Sequence, residues 1–274
     1  MTEPSPDAPA PEADPQLMEA LRRLAQAPTL LAAFDFDGTL APFTVDPQDS
    51  RALPESQEAL DRLAGMERTH VGIISGRDLG FLQSVVDHQR TKLLSGSHGA
   101  ELDLHPLGPD AGDSAIRLSP EQLVLLDRAV DAVREVVERH PGAKAELKPA
   151  GVCLHTRPME DQSRSDAALT EMRERFEDLG GLRITPGQQV MECSVLSATK
   201  GEGVEALIRA TGADAALFAG DDVTDEDGMR ALRAQDVGLK VGDKETIAPF
   251  RVESPQALGR LLTVFARLRA EALG

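Results

Sequence analysis

The chain has 274 residues, with 29 Lys and Arg against 46 Asp and Glu for a net charge of −17, and 41% of its residues are hydrophobic. That is enough chain and enough apolar surface for one large domain, or a domain carrying an insertion, with a core of its own. So acidic a surface repels phosphate backbones and anionic lipid, and no apolar run approaches the roughly 18 residues of a membrane span, so nucleic acid and membrane partners are disfavoured.

Residues 1–16 hold five prolines and no basic residue, and they read as a disordered leader. They lack the basic and apolar regions of a secretory signal, which points to a cytoplasmic protein. A short amphipathic helix follows, with Leu17, Leu21 and Leu24 on one face and Pro28 ending it. Thr29 to Phe34 is an apolar run of strand length leading into Asp35-Phe36-Asp37-Gly38-Thr39, and apolar residues on both faces suggest a buried parallel strand. Ser56 to Leu63 reads as helix and Thr69 to Ile74 as a second buried strand ending at Ser75-Gly76-Arg77. A helix over 78–87, a strand over 91–94 and the turn Ser95 to Gly99 continue the alternation of a parallel sheet.

The pattern then changes. Gly108 to Gly112 reads as a linker, and Pro120 to Arg139 as an amphipathic helix with Leu123, Leu126, Val130, Val133 and Val137 in one stripe. Ala145 to Lys148 and Val152 to Arg157 form a hairpin across Pro149-Ala150-Gly151. A helix over 162–179 and strands near 182–185 and 190–195 complete a small α+β unit. Parallel character returns with a helix from Lys200 to Ala210, a strand over 215–219 ending at Gly220-Asp221-Asp222, a strand over 237–241 and a closing helix over 255–273. The expected fold is therefore α/β, a Rossmann-like parallel core of residues 17–112 and 193–274 interrupted by an inserted α+β cap of residues 113–192.

Two cysteines, Cys153 and Cys193, are too few for a disulfide framework and read as small buried apolar residues. Trp and Tyr are absent and only six residues are Lys, so each lysine is informative.

In open α/β sheets, sites form at the carboxyl ends of strands. Asp35 with Asp37, Ser75, and Asp221 with Asp222 and Asp225 fall there, and Lys200 opens a helix. Asp35 and Asp37 are one residue apart, so a near-extended backbone sends both carboxylates to one side, where they repel unless a cation intervenes. A hard divalent ion such as Mg²⁺ suits that oxygen-rich setting, and Lys200 could neutralise a phosphoryl group. Each element alone is ordinary turn or helix chemistry. Together and in order, they point to one site.

Phe34-Asp35-Phe36-Asp37-Gly38-Thr39-Leu40 resembles the first motif of the haloacid dehalogenase-type phosphohydrolases, Ile74-Ser75 the second, Lys200 the third, and Gly220-Asp221-Asp222 through Asp225 the fourth. The insertion is similar to a type C2 cap. Within that superfamily the chain resembles the trehalose-6-phosphate phosphatases from about Leu30 to the C-terminus. The narrower words are Ser75-Gly76-Arg77, Gly96 to Glu101, Glu146-x-Lys148, His155-x-Arg157, Pro186-Gly187 through Glu192, Lys200-Gly201 and Gly220 to Asp227. Gln188, Cys193-Ser194 and Gly228-Met229 depart from the family pattern; the first two positions bear on sugar binding.

The resemblance implies a Mg²⁺-dependent hydrolysis of trehalose 6-phosphate through an aspartyl-phosphate, by a cytoplasmic enzyme expected to be a monomer whose partner is a small sugar phosphate. Asp35 is implied as nucleophile, and Asp37 as the acid that protonates the departing oxygen and then the base that activates water. Asp35, the Asp37 carbonyl and Asp221 would hold Mg²⁺, and Ser75, Gly76 and Lys200 the phosphoryl oxygens. Asp222 and Asp225 would orient Lys200 and the metal's waters, and Thr39 would orient Asp37. Arg77, His98, Glu146, Lys148, Arg157 and Glu192 are the candidate substrate contacts. From the residues alone, Lys148 and Arg157 could be surface charges pairing with Glu146, His98 could be a loop scaffold, and His155 reads as a strand-packing residue. Three alternatives stay open: a phosphatase for sucrose phosphate or a glycosyl-phosphoglycerate, a non-catalytic sugar-phosphate sensor, and a phosphomutase.

Overall fold

The computed structural model describes residues 14–86, 90–108, 111 and 118–274. Most of the expected leader and the linker start near residue 112 lie outside them. The chain divides into two compact units, Met1–Ser114 with Thr199–Gly274, and Ala115–Ala198.

The first unit is built on a seven-stranded sheet. Its strands are β1 (Leu30–Phe34), β2 (Thr69–Ile74), β3 (Leu93–Gly96), β4 (Glu101–Asp103), β9 (Ala215–Gly220), β10 (Val237–Val241) and β11 (Phe250–Val252). They lie in the order β11-β10-β9-β1-β2-β3-β4, all parallel except the β3–β4 pair. Leu30, Ala32 and Phe34 pack on one side of β1 and Leu31 and Ala33 on the other. That two-sided burial is why the segment reads as an unbroken apolar run. Helices α1 (Pro15–Ala25), α2 (Pro54–Ala64) and α8 (Pro255–Leu273) contribute to the first of these cores. Helix α6 (Lys200–Thr211) supplies Val204 and Leu207 to the second. α1 begins at Pro15 with Asp14 capping it, inside the expected leader.

The chain leaves β1 toward β2 on one side and reaches β9 on the other, so a crevice opens where the strand order reverses, at the carboxyl ends of β1 and β9. Helix α3 (Leu79–Val85) follows β2, and the six-residue helix α7 (Asp225–Arg230) follows β9.

The second unit has helices α4 (Pro120–Arg139) and α5 (Gln162–Leu179) and a four-stranded antiparallel sheet of β5 (Lys144–Lys148), β6 (Gly151–His155), β7 (Arg183–Gly187) and β8 (Val190–Ser194), ordered β5-β6-β8-β7. Its core joins Ala129, Val133 and Val136 of α4 to Val152, Leu154, Met172, Phe176, Met191 and Cys193. The face of α4 is thus rotated from the expected stripe, and Leu123 is exposed. β8 pairs along its whole length with β6 and β7. The unit therefore runs to Ala198, past the return expected after residue 192.

Candidate active site

The Asp35 backbone N–H bonds to the Ala219 carbonyl, so the loop after β1 is tied to the end of β9. Gly38, at φ +81°, turns the chain beside Asp221 so closely that a Cβ there would lie 2.4 Å from Asp221 Oδ1. Only glycine meets both demands at that point. Thr39 Oγ1 lies 3.4 Å from both Asp35 Oδ2 and Asp221 Oδ1. The residue expected to orient Asp37 thus bridges the other two carboxylates instead.

Lys200 is at the first position of α6, with Thr199 as its N-cap in a reciprocal capping box with Glu202. Its Nζ donates to Asp35 Oδ1 at 2.7 Å and Asp225 Oδ1 at 2.6 Å. Asp225 is fully buried, and its second oxygen accepts the Asp222 N–H at 2.7 Å, so it holds both the lysine and the loop after β9. The Asp222 side chain is different: its carboxylate accepts from Lys244 at 2.8 Å, and its carbonyl accepts from the buried Lys240 at 3.2 Å. Lys240 also donates to Glu226, which accepts the Ile247 N–H as well.

Asp37 is held by residues outside that cluster. Its Oδ2 accepts from Arg77 Nε at 2.7 Å, and its Oδ1 accepts from Arg77 Nη2 at 3.0 Å and from Ser50 at 2.8 Å. Arg77 also donates to the Pro47 carbonyl and stacks 4.5 Å above the Phe81 ring. The structure gives Arg77, a candidate substrate contact, the task of holding Asp37. Ser75, buried at the end of β2, accepts the Arg77 N–H at 3.2 Å. His98 packs against Gly76, where a Cβ would come within 2.7 Å of the ring, and its N–H bonds to the Ser75 carbonyl.

Asp35, Asp221 and Asp225 each bring a carboxylate oxygen within 4.8 Å of the others. Burial, then the Asp225 charge, raises the Asp35 pKa well above the usual carboxylate range. Burial, then Asp225, pushes Asp221 up to about 6. Burial works against the Lys200 charge, but Asp225 and Asp35 raise its pKa above that of an ordinary lysine. Three buried carboxylates against that lysine leave an excess of negative charge, and every donor is an oxygen. The cluster therefore fits a hard divalent cation.

In the second unit, Glu146, Cys153 and Glu192 lie opposite one another across β5, β6 and β8. Lys148 donates to Glu192 at 2.6 Å, and His155 Nε2 lies 2.7 Å from Glu146 Oε2. Lys148 thus pairs with Glu192, and His155 belongs to this polar face instead of packing in the core. Arg157 is exposed in the turn after β6. Both cysteines are free and buried.

The model of the trehalose-phosphatase family matches residues 33–256. The chain belongs to that family. A trehalose-phosphate phosphatase of Mycobacterium tuberculosis is 31% identical over 285 residues, covering 94% of this chain and 68% of that protein. An uncharacterized glycosyl hydrolase of the same species is also 31% identical, over 92% of this chain, but the chain spans only 19% of that relative's length. In fold the chain is similar to the C-terminal domain of the C. albicans trehalose-6-phosphate phosphatase, with a TM-score of 0.80 at 21% identity, covering 95% of this chain and 99% of that one. A sugar phosphatase of HAD subclass IIB has a TM-score of 0.57 at 16% identity, covering 86% and 99%. The parallel core with an inserted α+β unit is the expected fold. No helix among the described residues is long and apolar enough to cross a membrane.

Proposed function

We propose that the protein is a Mg²⁺-dependent phosphatase that hydrolyses trehalose 6-phosphate to trehalose and phosphate. The observation that carries this reading is the buried Asp35–Lys200–Asp225 chain beside Asp221, at the strand ends of a chain in the trehalose-phosphatase family.

Asp35 attacks phosphorus in line, forming an aspartyl-phosphate that divides a very slow hydrolysis into two steps. Lys200 leaves its ion pair with Asp35 to bind a phosphoryl oxygen, while Asp225 keeps the ammonium in place. Ser75 and the Gly76 backbone hold the other oxygens. Asp35, the Asp37 carbonyl and Asp221 would hold Mg²⁺, which when bound supplies charge neutralisation at the phosphoryl group.

Both Asp37 oxygens accept hydrogen bonds in this structure. In the second step Asp37 takes a proton from the water that cleaves the aspartyl-phosphate. Protonating the departing sugar oxygen in the first step requires one of these bonds to open. Arg77 and Ser50 therefore position Asp37. Glu146, Lys148 and Glu192 recognise sugar hydroxyls through charge-assisted hydrogen bonds.

Phosphate release from trehalose 6-phosphate in Mg²⁺, compared between the intact protein and Asp35→Asn, tests the mechanism. The variant is expected to fold and to lose turnover by about 10⁴-fold or more; near-normal release from it would exclude Asp35 as nucleophile.

A further inference from the structure

Glu146, Cys153 and His155 bring one ligand-competent atom each to within 4.8 Å of the others. The register explains why. Glu146 and Cys153 are directly opposite in the β5–β6 pair, and His155 follows two residues after Cys153, on the same face. That face is opposite Val152 and Leu154, which are packed in the core of the second unit. Cys153 is only 2% exposed, while the Glu146 and His155 side chains are 39% and 29% exposed. The group thus has a fixed sulfur at its base and two adjustable arms at its rim. Its donors also differ in kind from the all-oxygen cluster of Asp35, Asp221 and Asp225.

We propose that Glu146, Cys153 and His155 form a site for a borderline-soft divalent metal of the Zn²⁺ class. Thiolate and imidazole select such ions over Mg²⁺. A tetrahedral ion with bonds of about 2.0–2.3 Å needs ligand atoms about 3.5 Å apart. The partly exposed carboxylate and imidazole close that gap by small side-chain rotations. On binding, the Cys153 thiol gives its proton to solvent and its sulfur donates an electron pair. The Nε2 proton that His155 shares with Glu146 moves to Nδ1 through solvent, or to solvent if the ring is charged, which frees the Nε2 lone pair for the metal, and Glu146 exchanges its bond to His155 for the same ion. No electron is transferred. A bound ion removes Glu146 and reorganises the neighbouring Lys148–Glu192 pair, so it inhibits turnover of trehalose 6-phosphate. This inhibition rests on the assignment of those residues to the sugar; the metal site itself does not.

The test titrates Co²⁺ into the full chain with Mg²⁺ saturating, because sulfur-bound Co²⁺ gives an intense near-ultraviolet charge-transfer absorption that an all-oxygen site does not. The band is expected to reach its plateau at one equivalent, to vanish on adding Zn²⁺, to persist in Asp221→Ala and to be lost in Cys153→Ala. His155→Gln, at a partly exposed position that leaves the thiol in place, is expected to weaken Co²⁺ binding about tenfold or more. No band in the folded protein, a band surviving in folded Cys153→Ala, or unchanged affinity in His155→Gln would overturn the site. Zn²⁺ is also expected to raise KM for trehalose 6-phosphate in the intact protein and not in Cys153→Ala. A Cys153-dependent band without that rise would keep the metal site and overturn the sugar assignment of Glu146.

Discussion

In the first unit Asp35, Lys200, Asp221 and Asp225 sit at strand and helix ends and are nearly removed from water, with Asp35 3% and Lys200 4% exposed. In the second they stand on an open strand face and bond two by two, Lys148 with Glu192 and Glu146 with His155. The first arrangement holds an excess of buried negative charge around Lys200 and suits chemistry on a phosphoryl group. The second has each of these groups already bonded to a neighbour with some access to solvent, which suits exchange of one hydrogen-bond partner for a sugar hydroxyl. Burial, more than residue type, separates the two regions.

The sharpest way to break that comparison is to remove one lysine from each region. Lys200→Met strands two buried carboxylates, and is expected to cost about 3–5 kcal/mol in the metal-free protein and about 10³-fold in turnover. Lys148→Met breaks a single mostly buried pair, with Glu192 still 18% exposed, and is expected to cost less, about 1–3 kcal/mol. Equal losses in denaturant unfolding would mean that the two regions do not differ as described.

Selectivity sharpens the comparison from the other side. Glu146→Ala is expected to lower kcat/KM for trehalose 6-phosphate by about 10–100-fold, roughly 1.4–2.7 kcal/mol, while leaving a small phosphate ester little changed. A matching loss on both substrates would place Glu146 outside recognition.

The buried carboxylates also make stability depend on pH. Asp221 titrates near 6 in the folded protein against an ordinary value of 3.8, and Asp35 is raised in the same direction. The folded state therefore holds these protons more tightly than the unfolded chain. Stability from this source is present at low pH and is lost as pH rises through about 4 to 6, by up to about 3 kcal/mol for Asp221. Thermal melting in chelator is expected to show a flatter decline from pH 5 to 7.5 in Asp221→Asn than in the intact protein. Identical slopes would mean that Asp221 does not carry the excess charge.

The parallel strands were legible in the sequence because they are buried on both faces, and Lys200 because lysine is scarce in this chain and it opens a helix. The partners of Thr39, Arg77 and Asp222 were not, because they are set by loops that meet only in the folded core. Ser50, in a Pro-containing loop, reaches Asp37 in this way, and Lys240 and Lys244 reach Asp222. Scarcity of lysine was the signal for those two as well, although Lys240 lies inside a strand that reads as plain apolar core. β4 and β11, with three residues each, are too short for any periodicity to register. The setting of Cys153 was hidden for another reason: its burial is on the polar face of its sheet, and a strand pattern of Val152-Cys153-Leu154 gives no hint that the middle residue faces Glu146.

The most direct test of the central claim is phosphate release in Mg²⁺ from trehalose 6-phosphate, sucrose 6-phosphate, glucose 6-phosphate and p-nitrophenyl phosphate. The account predicts a preference for trehalose 6-phosphate of about 10²-fold or more in kcat/KM, roughly 2.7 kcal/mol. Comparable rates on all four would keep the Asp35 chemistry and contradict recognition by the second unit, and no release from any of them would contradict the phosphatase itself.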